Sequence, residues 1–94
     1  PEAVEVFQQA VSIDPKYAEV YRDLGATYFE LRRFSESIEC YNKAISIDNK
    51  NAGFYFNRGN SYLFMRDSQR ANQDYQKAIK LDPEFKDNVE MVLN

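Results

Sequence analysis

The chain has 94 residues, 44% hydrophobic and 29% charged, with only three Gly and three Pro. That describes one small domain at most, too apolar for disorder and too interrupted by charge for a membrane span. A net charge of −3 and a pI near 4.9 supply no global positive field, which weighs against nucleic acid or an anionic membrane as the main partner.

An amphipathic pattern is already running at the first residues. Val4, Phe7 and Val11 are spaced for a helix over about 2–13, and Pro15 belongs at its end or at the start of the next. The chain starts at Pro1 without an initiator Met, as expected of a piece of a longer protein. One flank of that helix then lacks its usual cover, so weak self-association through the N-terminal end is expected. In "AEVYRDLGATYFEL" the residues Tyr21, Leu24, Gly25 and Tyr28 share one helix face and predict a helix over about 18–31. Arg32 and Arg33 separate it from "SESIECYNKAISI", where Ser37, Tyr41, Ala44 and Ile45 predict a second over about 35–47.

The next stretch, "FYFNRGNSYLF", sets five aromatics around Arg58-Gly59. Taken alone, its "RGNSYLF" half resembles the core of an RNA-recognition strand, with aromatics as a base-stacking platform. No period-2 alternation supports a strand, and Tyr55, Gly59 and Tyr62 instead mark one face of a helix over about 52–65. Further helices are predicted over about 69–81, ended by Asp82-Pro83, and 85–93, with Val89, Val92 and Leu93 on its apolar face. The reading is all-α, with about six helices.

The chain also repeats itself. One constant offset aligns Ala18 with Ala52, Tyr21 with Tyr55, Gly25 with Gly59, Tyr28 with Tyr62, Tyr41 with Tyr75 and Lys43-Ala44-Ile45 with Lys77-Ala78-Ile79. Small residues at Gly25, Gly59, Ala44 and Ala78 let paired helices approach closely, and the tyrosines fill the space beside them. Such units cannot bury both faces alone, so they stack into a solenoid.

The order Tyr-x2-Leu-Gly-x2-Tyr, small-x3-aromatic-x2-Ala and closing Asp-Pro, with a period of about 34 residues, resembles the tetratricopeptide repeat (TPR) family. Residues 18–51 and 52–85 are similar to full repeats, 1–17 to the second helix of a truncated repeat, and 86–94 to a capping helix or the start of a next repeat. Asn49 stands where Pro is usual. The resemblance implies antiparallel helix-turn-helix units in a right-handed α-solenoid, and a non-catalytic module that binds a peptide segment of a partner protein in its concave groove. It places Glu19, Arg22, Asp23, Ala26, Phe29 and Glu30 on the inner face of one repeat, and Gly53, Phe56, Asn57, Asn60, Leu63 and Phe64 on that of the next. The groove candidates are Arg22, Phe29, Phe56, Asn57, Asn60, Leu63 and Phe64. The apolar ones exceed what one core stripe needs, and the two Asn amides can each donate to and accept from a peptide backbone. The same residues also suit packing at the inner seam, in a purely architectural segment of a longer solenoid or oligomer.

Two sharper family roles fit less well. A chaperone carboxylate clamp would need Asn at Ala26 and cations near Asp87 and Met91, where a carboxylate would meet repulsion. An RNA-binding pentatricopeptide-like repeat has a slightly longer period and a basic groove, whereas Glu19, Asp23 and Glu30 face inward here.

Catalytic chemistry finds little to build on. The chain has no histidine, which removes Ser-His and Cys-His pairs and HExxH zinc sites, and it has no phosphate loop. Its single cysteine, Cys40, reads as a small packing residue and sets a reducing compartment, the cytoplasm, as the default. There is no signal peptide, transit peptide or glycosylation sequon, and no cofactor is expected. Arg58 occupies the position of Leu24 one repeat earlier, so its stem should lie on the core with its head at a carboxylate or in water.

Overall fold

The structure, a computed structural model, describes residues 17–93. Among them are five helices and no strand: α1 (Ala18–Glu30), α2 (Phe34–Ile47), α3 (Ala52–Phe64), α4 (Ser68–Leu81) and α5 (Phe85–Leu93). The sixth helix, expected over about 2–13, lies outside the described residues, as do Val4, Phe7 and Val11, whose apolar flank is the basis for the expected self-association. Helix bounds recur along the chain: α3 begins and ends one full repeat after α1 (18 to 52, 30 to 64), and α4 one full repeat after α2 (34 to 68, 47 to 81).

Each pair is joined by a three-residue turn, too short for anything but an antiparallel return. Both turns are Schellman motifs built without glycine. Arg32 (φ 61°) and Arg66 (φ 66°) take the left-handed position. The Arg32 and Arg33 N–H groups donate to the carbonyls of Phe29 and Tyr28, and those of Arg66 and Asp67 to Leu63 and Tyr62. The Asp67 side chain then caps α4 through the Arg70 N–H at 3.1 Å. Between the pairs the carboxylates of Asp48 and Asp82 each accept a backbone N–H two residues on, and Asn51 caps α3 through the Gly53 N–H at 3.0 Å.

Small residues set how closely the helices approach. The Ser37 hydroxyl donates to the Gly25 carbonyl at 2.8 Å and lies 2.9 Å from the Ser61 hydroxyl, so it bonds α2 to both α1 and α3. Tyr41 and Tyr75 are almost fully buried against Gly25 and Gly59. The α1 helix also packs on α3, and α3 on α5, so successive first helices lie side by side as in a solenoid. The seam between the pairs is closed by Phe54, 1% exposed, which joins Ala18, Tyr21 and Ala44 in one cluster. Nothing in the sequence pattern had assigned this residue a role.

Arg58 sits at the same seam. Its Nε and Nη2 donate to Asp74 at 2.8 and 2.7 Å, its Nη1 to Asn42 on α2 at 2.9 Å, and its guanidinium lies 5.6 Å from the Tyr55 ring centre. The head is therefore at a carboxylate, and it ties the two helix pairs together. Ser68 and Asn72, the polar residues that replace Phe34 and Ile38 of the preceding pair, are exposed and form no buried network.

This packing predicts how the chain behaves in base. Burial pushes the Tyr41 and Tyr75 phenols up to about 12, with Asp74 adding to the effect at Tyr75, and the Cys40 thiol up to about 11. Folded values raised above unfolded ones mean that the neutral forms stabilise the fold. That contribution is complete below the unfolded values and is lost as pH rises through about 11–12, roughly 2–3 kcal/mol per tyrosine. Urea titrations at stepped pH should show constant stability to about pH 9 and a fall accompanied by tyrosinate absorbance. A midpoint unchanged through pH 12 would contradict it.

Candidate functional site

The C-terminal ends of α1 and α3, their two turns and α5 enclose an open groove of about 650 Å³. Phe29, Leu63, Phe64 and Val92 give it an apolar wall, and Asn60, Arg32 and Arg66 give it polar groups. The wall is rigid for a clear reason. Phe29 meets Phe34 and Phe64 edge-on, with ring centres 5.4 and 5.0 Å apart and interplanar angles of 64° and 74°. Such edge-to-face contacts fix the rings beyond what burial alone does. Phe64 stays 50% exposed, so this aromatic cluster presents one ring to the groove.

Asn60 is oriented from behind. The buried Tyr75 hydroxyl donates to its Oδ1 at 2.7 Å, which commits the amide oxygen and leaves the amide NH2 to donate. Arg32 and Arg66 are exposed, and no carboxylate partner is found for either among the described residues. Arg22, Arg33, Arg58 and Arg70 are each paired: with Glu19 and Asp23, Glu36, Asp74 and Asp67 respectively.

The structure thus gathers four of the seven residues expected in the groove, Phe29, Asn60, Leu63 and Phe64, and separates the other three. Phe56 is half-buried between Tyr75 and Phe85, with ring centres 5.7 and 5.4 Å away, because α5 folds back over it. Its surplus apolar surface is spent on packing. Arg22 is held by its own helix, 3.1 Å from Asp23 and 3.7 Å from Glu19, and does not line the groove. Asn57 is half-buried, and it too lies outside the lining. Sequence reasoning missed Arg32, Arg66 and the part played by Val92. The signal for the arginines was present, since they occupy the same position in successive repeats (32 to 66).

Among the described residues no group of three or more His, Cys, Asp or Glu is placed to hold a metal ion, and no helix is long and apolar enough to cross a membrane. Cys40 is 1% exposed.

Among the described residues, an all-helical stack of hairpins with an open groove between successive first helices defines an α-solenoid. Family comparison gives the class a name: the model for the TPR repeat matches residues 1–32 and 27–63, and that for the tetratricopeptide repeat matches 52–85. The chain belongs to the tetratricopeptide repeat family. Among solved structures it is similar to the second TPR of Spaghetti (RPAP3) bound to the HSP90 peptide SRMEEVD, at 30% identity and a TM-score of 0.74, covering 86% of this chain and 70% of that one. It is also similar to the Arabidopsis OM64 TPR domain, at 28% identity and a TM-score of 0.71, covering 72% and 56%. A third similar structure is that of MamA, at 29% identity and a TM-score of 0.77, covering 88% and 48%. The chain therefore spans little more than half of the OM64 domain and under half of MamA. A search of curated proteins returns no match.

Proposed function

We propose that this chain is a non-catalytic interaction module, two tetratricopeptide repeats at 18–51 and 52–85 with flanking half-repeats, that holds a peptide segment of a partner protein in its groove. The observation that carries this reading is the half-exposed Phe64 ring, braced edge-on by Phe29 beside Leu63, Val92 and the free amide NH2 of Asn60. An apolar side chain of the ligand fits the wall, and a ligand carbonyl fits the amide. The HSP90-peptide complex of the similar Spaghetti repeat supports a peptide as the class of ligand.

The test is a selection from a display library of random 12-residue peptides, followed by anisotropy titrations of the enriched sequences. Phe64→Ala should weaken them by roughly 30-fold, as loss of a central aromatic anchor does, with unchanged helicity. Met91→Ala, on an exposed residue outside the groove lining, should leave them unaltered. Enriched peptides that bind Phe64→Ala as tightly as the parent, or a selection that enriches nothing, would end the groove reading. An architectural role draws on a different observation, the exposure of Met91 (81%) and Leu93 (54%) on α5. In that case Met91→Glu would disturb assembly while Phe64→Ala would be silent.

A further inference from the structure

The described residues include six serines and threonines, and their surroundings divide them. Ser37 and Ser61 are buried, and the hydroxyls of Thr27 and Ser46 donate to the carbonyls of Asp23 and Lys43. That leaves Ser35 and Ser68, both exposed, neither hydroxyl bonded to another described residue. Ser35 is the second residue of α2, directly after the exposed turn, with Arg32 three residues and Arg33 two residues before it. We propose that Ser35 is a phosphorylation site for an arginine-directed serine/threonine kinase, with ATP as the phosphoryl donor. Ser35 lies outside the groove lining, and its modification does not depend on what the groove holds.

A kinase of that class reads cations upstream of the acceptor with carboxylates of its own, and planar guanidinium groups suit such bidentate bonds. Both arginines already have contacts: Arg32 lies over Phe34, 6.0 Å from its ring centre, and Arg33 holds Glu36 and lies 5.0 Å from the Tyr28 ring centre. On an exposed surface such contacts are weak, and a kinase carboxylate can replace them. The segment can also open, as an acceptor held in extended backbone requires. Opening releases the turn bonds from the Arg32 and Arg33 N–H groups to Phe29 and Tyr28, and that from the Ser37 N–H to Arg33. It also relieves the left-handed backbone of Arg32 (φ 61°). The apolar contact given up is that of Phe34 with Phe29 and Phe64. Beyond it the Ser37 hydroxyl, bonded to Gly25 and Ser61, anchors the rest of α2.

The second repeat supplies the contrast. Ser68 follows Met65, Arg66 and Asp67, one cation and a carboxylate where Ser35 has two cations and a phenylalanine. Asp67 also caps α4 through the Arg70 N–H at 3.1 Å and pairs with the Arg70 side chain, which holds that turn closed. The α2 helix has no such cap, since it starts on Arg33 without a side-chain bond to its free N–H groups. A phosphate on Ser35 thus sets at the start of α2 the anion that Asp67 supplies to α4, with Arg33 beside it and Glu36 as its competitor for that arginine. In the transfer the Ser35 Oγ forms a bond to the γ-phosphorus of ATP as the bond to ADP breaks, and the hydroxyl proton passes to the kinase's catalytic carboxylate. Nothing is oxidised or reduced.

The experiment incubates the whole folded chain with the catalytic subunit of an arginine-directed kinase and magnesium ATP, and maps incorporation by mass spectrometry. A phosphoryl group should enter at Ser35, Ser35→Ala should abolish it, and Ser68→Ala should leave it unchanged. Arg32→Gln/Arg33→Gln should lower kcat/KM by roughly 100-fold, as loss of two charge-assisted contacts does. A destabilised turn would raise the rate, so such a loss reports recognition. The phosphorylated chain should melt about 2–5 °C above the parent. No incorporation, incorporation only at another residue, or an unchanged rate in the Gln double variant would overturn the site. Faster modification by an acid-directed kinase, which would read Glu36 and Glu39 downstream, would overturn the role of the arginines. A melting temperature unchanged or lowered by the phosphate would overturn its capping role and leave the acceptor site standing.

Discussion

Replacing Arg58 by leucine is expected to destabilise the chain by about 3 kcal/mol, because it leaves the Asp74 carboxylate buried without its cation. The Asp74 side chain is 7% exposed and takes two short bonds from the guanidinium, at 2.8 and 2.7 Å. No other cation is paired with it among the described residues. The loss should be recoverable. One repeat earlier the same two positions hold Leu24 and Cys40 (24 to 58, 40 to 74), a pair without formal charge. Arg58→Leu/Asp74→Cys copies that pair into the second repeat and should return to within about 1 kcal/mol of the parent, since an apolar replacement of a whole buried ion pair is often close to neutral. A double-mutant cycle read by urea denaturation should give a coupling of about 2 kcal/mol or more. Additive losses would mean that Arg58 acts through its stem on Tyr55 and its bond to Asn42, and not through Asp74.

The second large effect opposes the usual helix preference. Alanine in a helix interior is favoured over glycine by about 1 kcal/mol, yet Gly59→Ala should destabilise by roughly 1–2 kcal/mol overall. A Cβ there would lie 2.9 Å from Tyr75 Cε1, 3.0 Å from its Cδ1 and 3.2 Å from the Ala71 carbonyl oxygen. Neither neighbour yields readily. Tyr75 is fully buried and tethered to Asn60, and the Ala71 carbonyl belongs to the backbone of α4. The denaturation midpoint should fall with an unchanged m-value, and any displacement of Tyr75 should also move Asn60 in the groove. A rise in midpoint would show that the helices separate enough to admit a methyl group.

These two variants also show what could and could not be seen in the sequence. Gly25, Gly59 and their tyrosines were legible because local spacing and the shift by one repeat act on the same residues. Helix bounds followed for the same reason. What lay between repeats was harder. Phe54 aligns with the half-buried Val20, and nothing in its own helix marks it as the plug of the preceding hairpin. Phe56 looked surplus because its partner Phe85 lies beyond the repeat, on a helix whose return over α3 is a tertiary fact. The repeat pattern puts the Arg58 head at a carboxylate or in water, but the choice of Asp74, 16 residues on, exists only once the helix pair is assembled. Arg22 lies outside the groove lining for a more local reason, since Glu19 and Asp23 on its own helix already engage it.

The position of Phe54 has a consequence for how the chain comes apart. Its ring belongs by sequence to the second hairpin but completes the hydrophobic cluster of the first, together with Ala18, Tyr21 and Ala44. Cooperative units are therefore staggered against the repeats, with each hairpin borrowing the opening turn of its successor. A polypeptide cut between Asn51 and Ala52, at the apparent joint, would forfeit the plug. One extended through the first turns of α3 would keep it. Under a pulling force the hairpins should not part singly at that joint, because releasing the second uncorks the first.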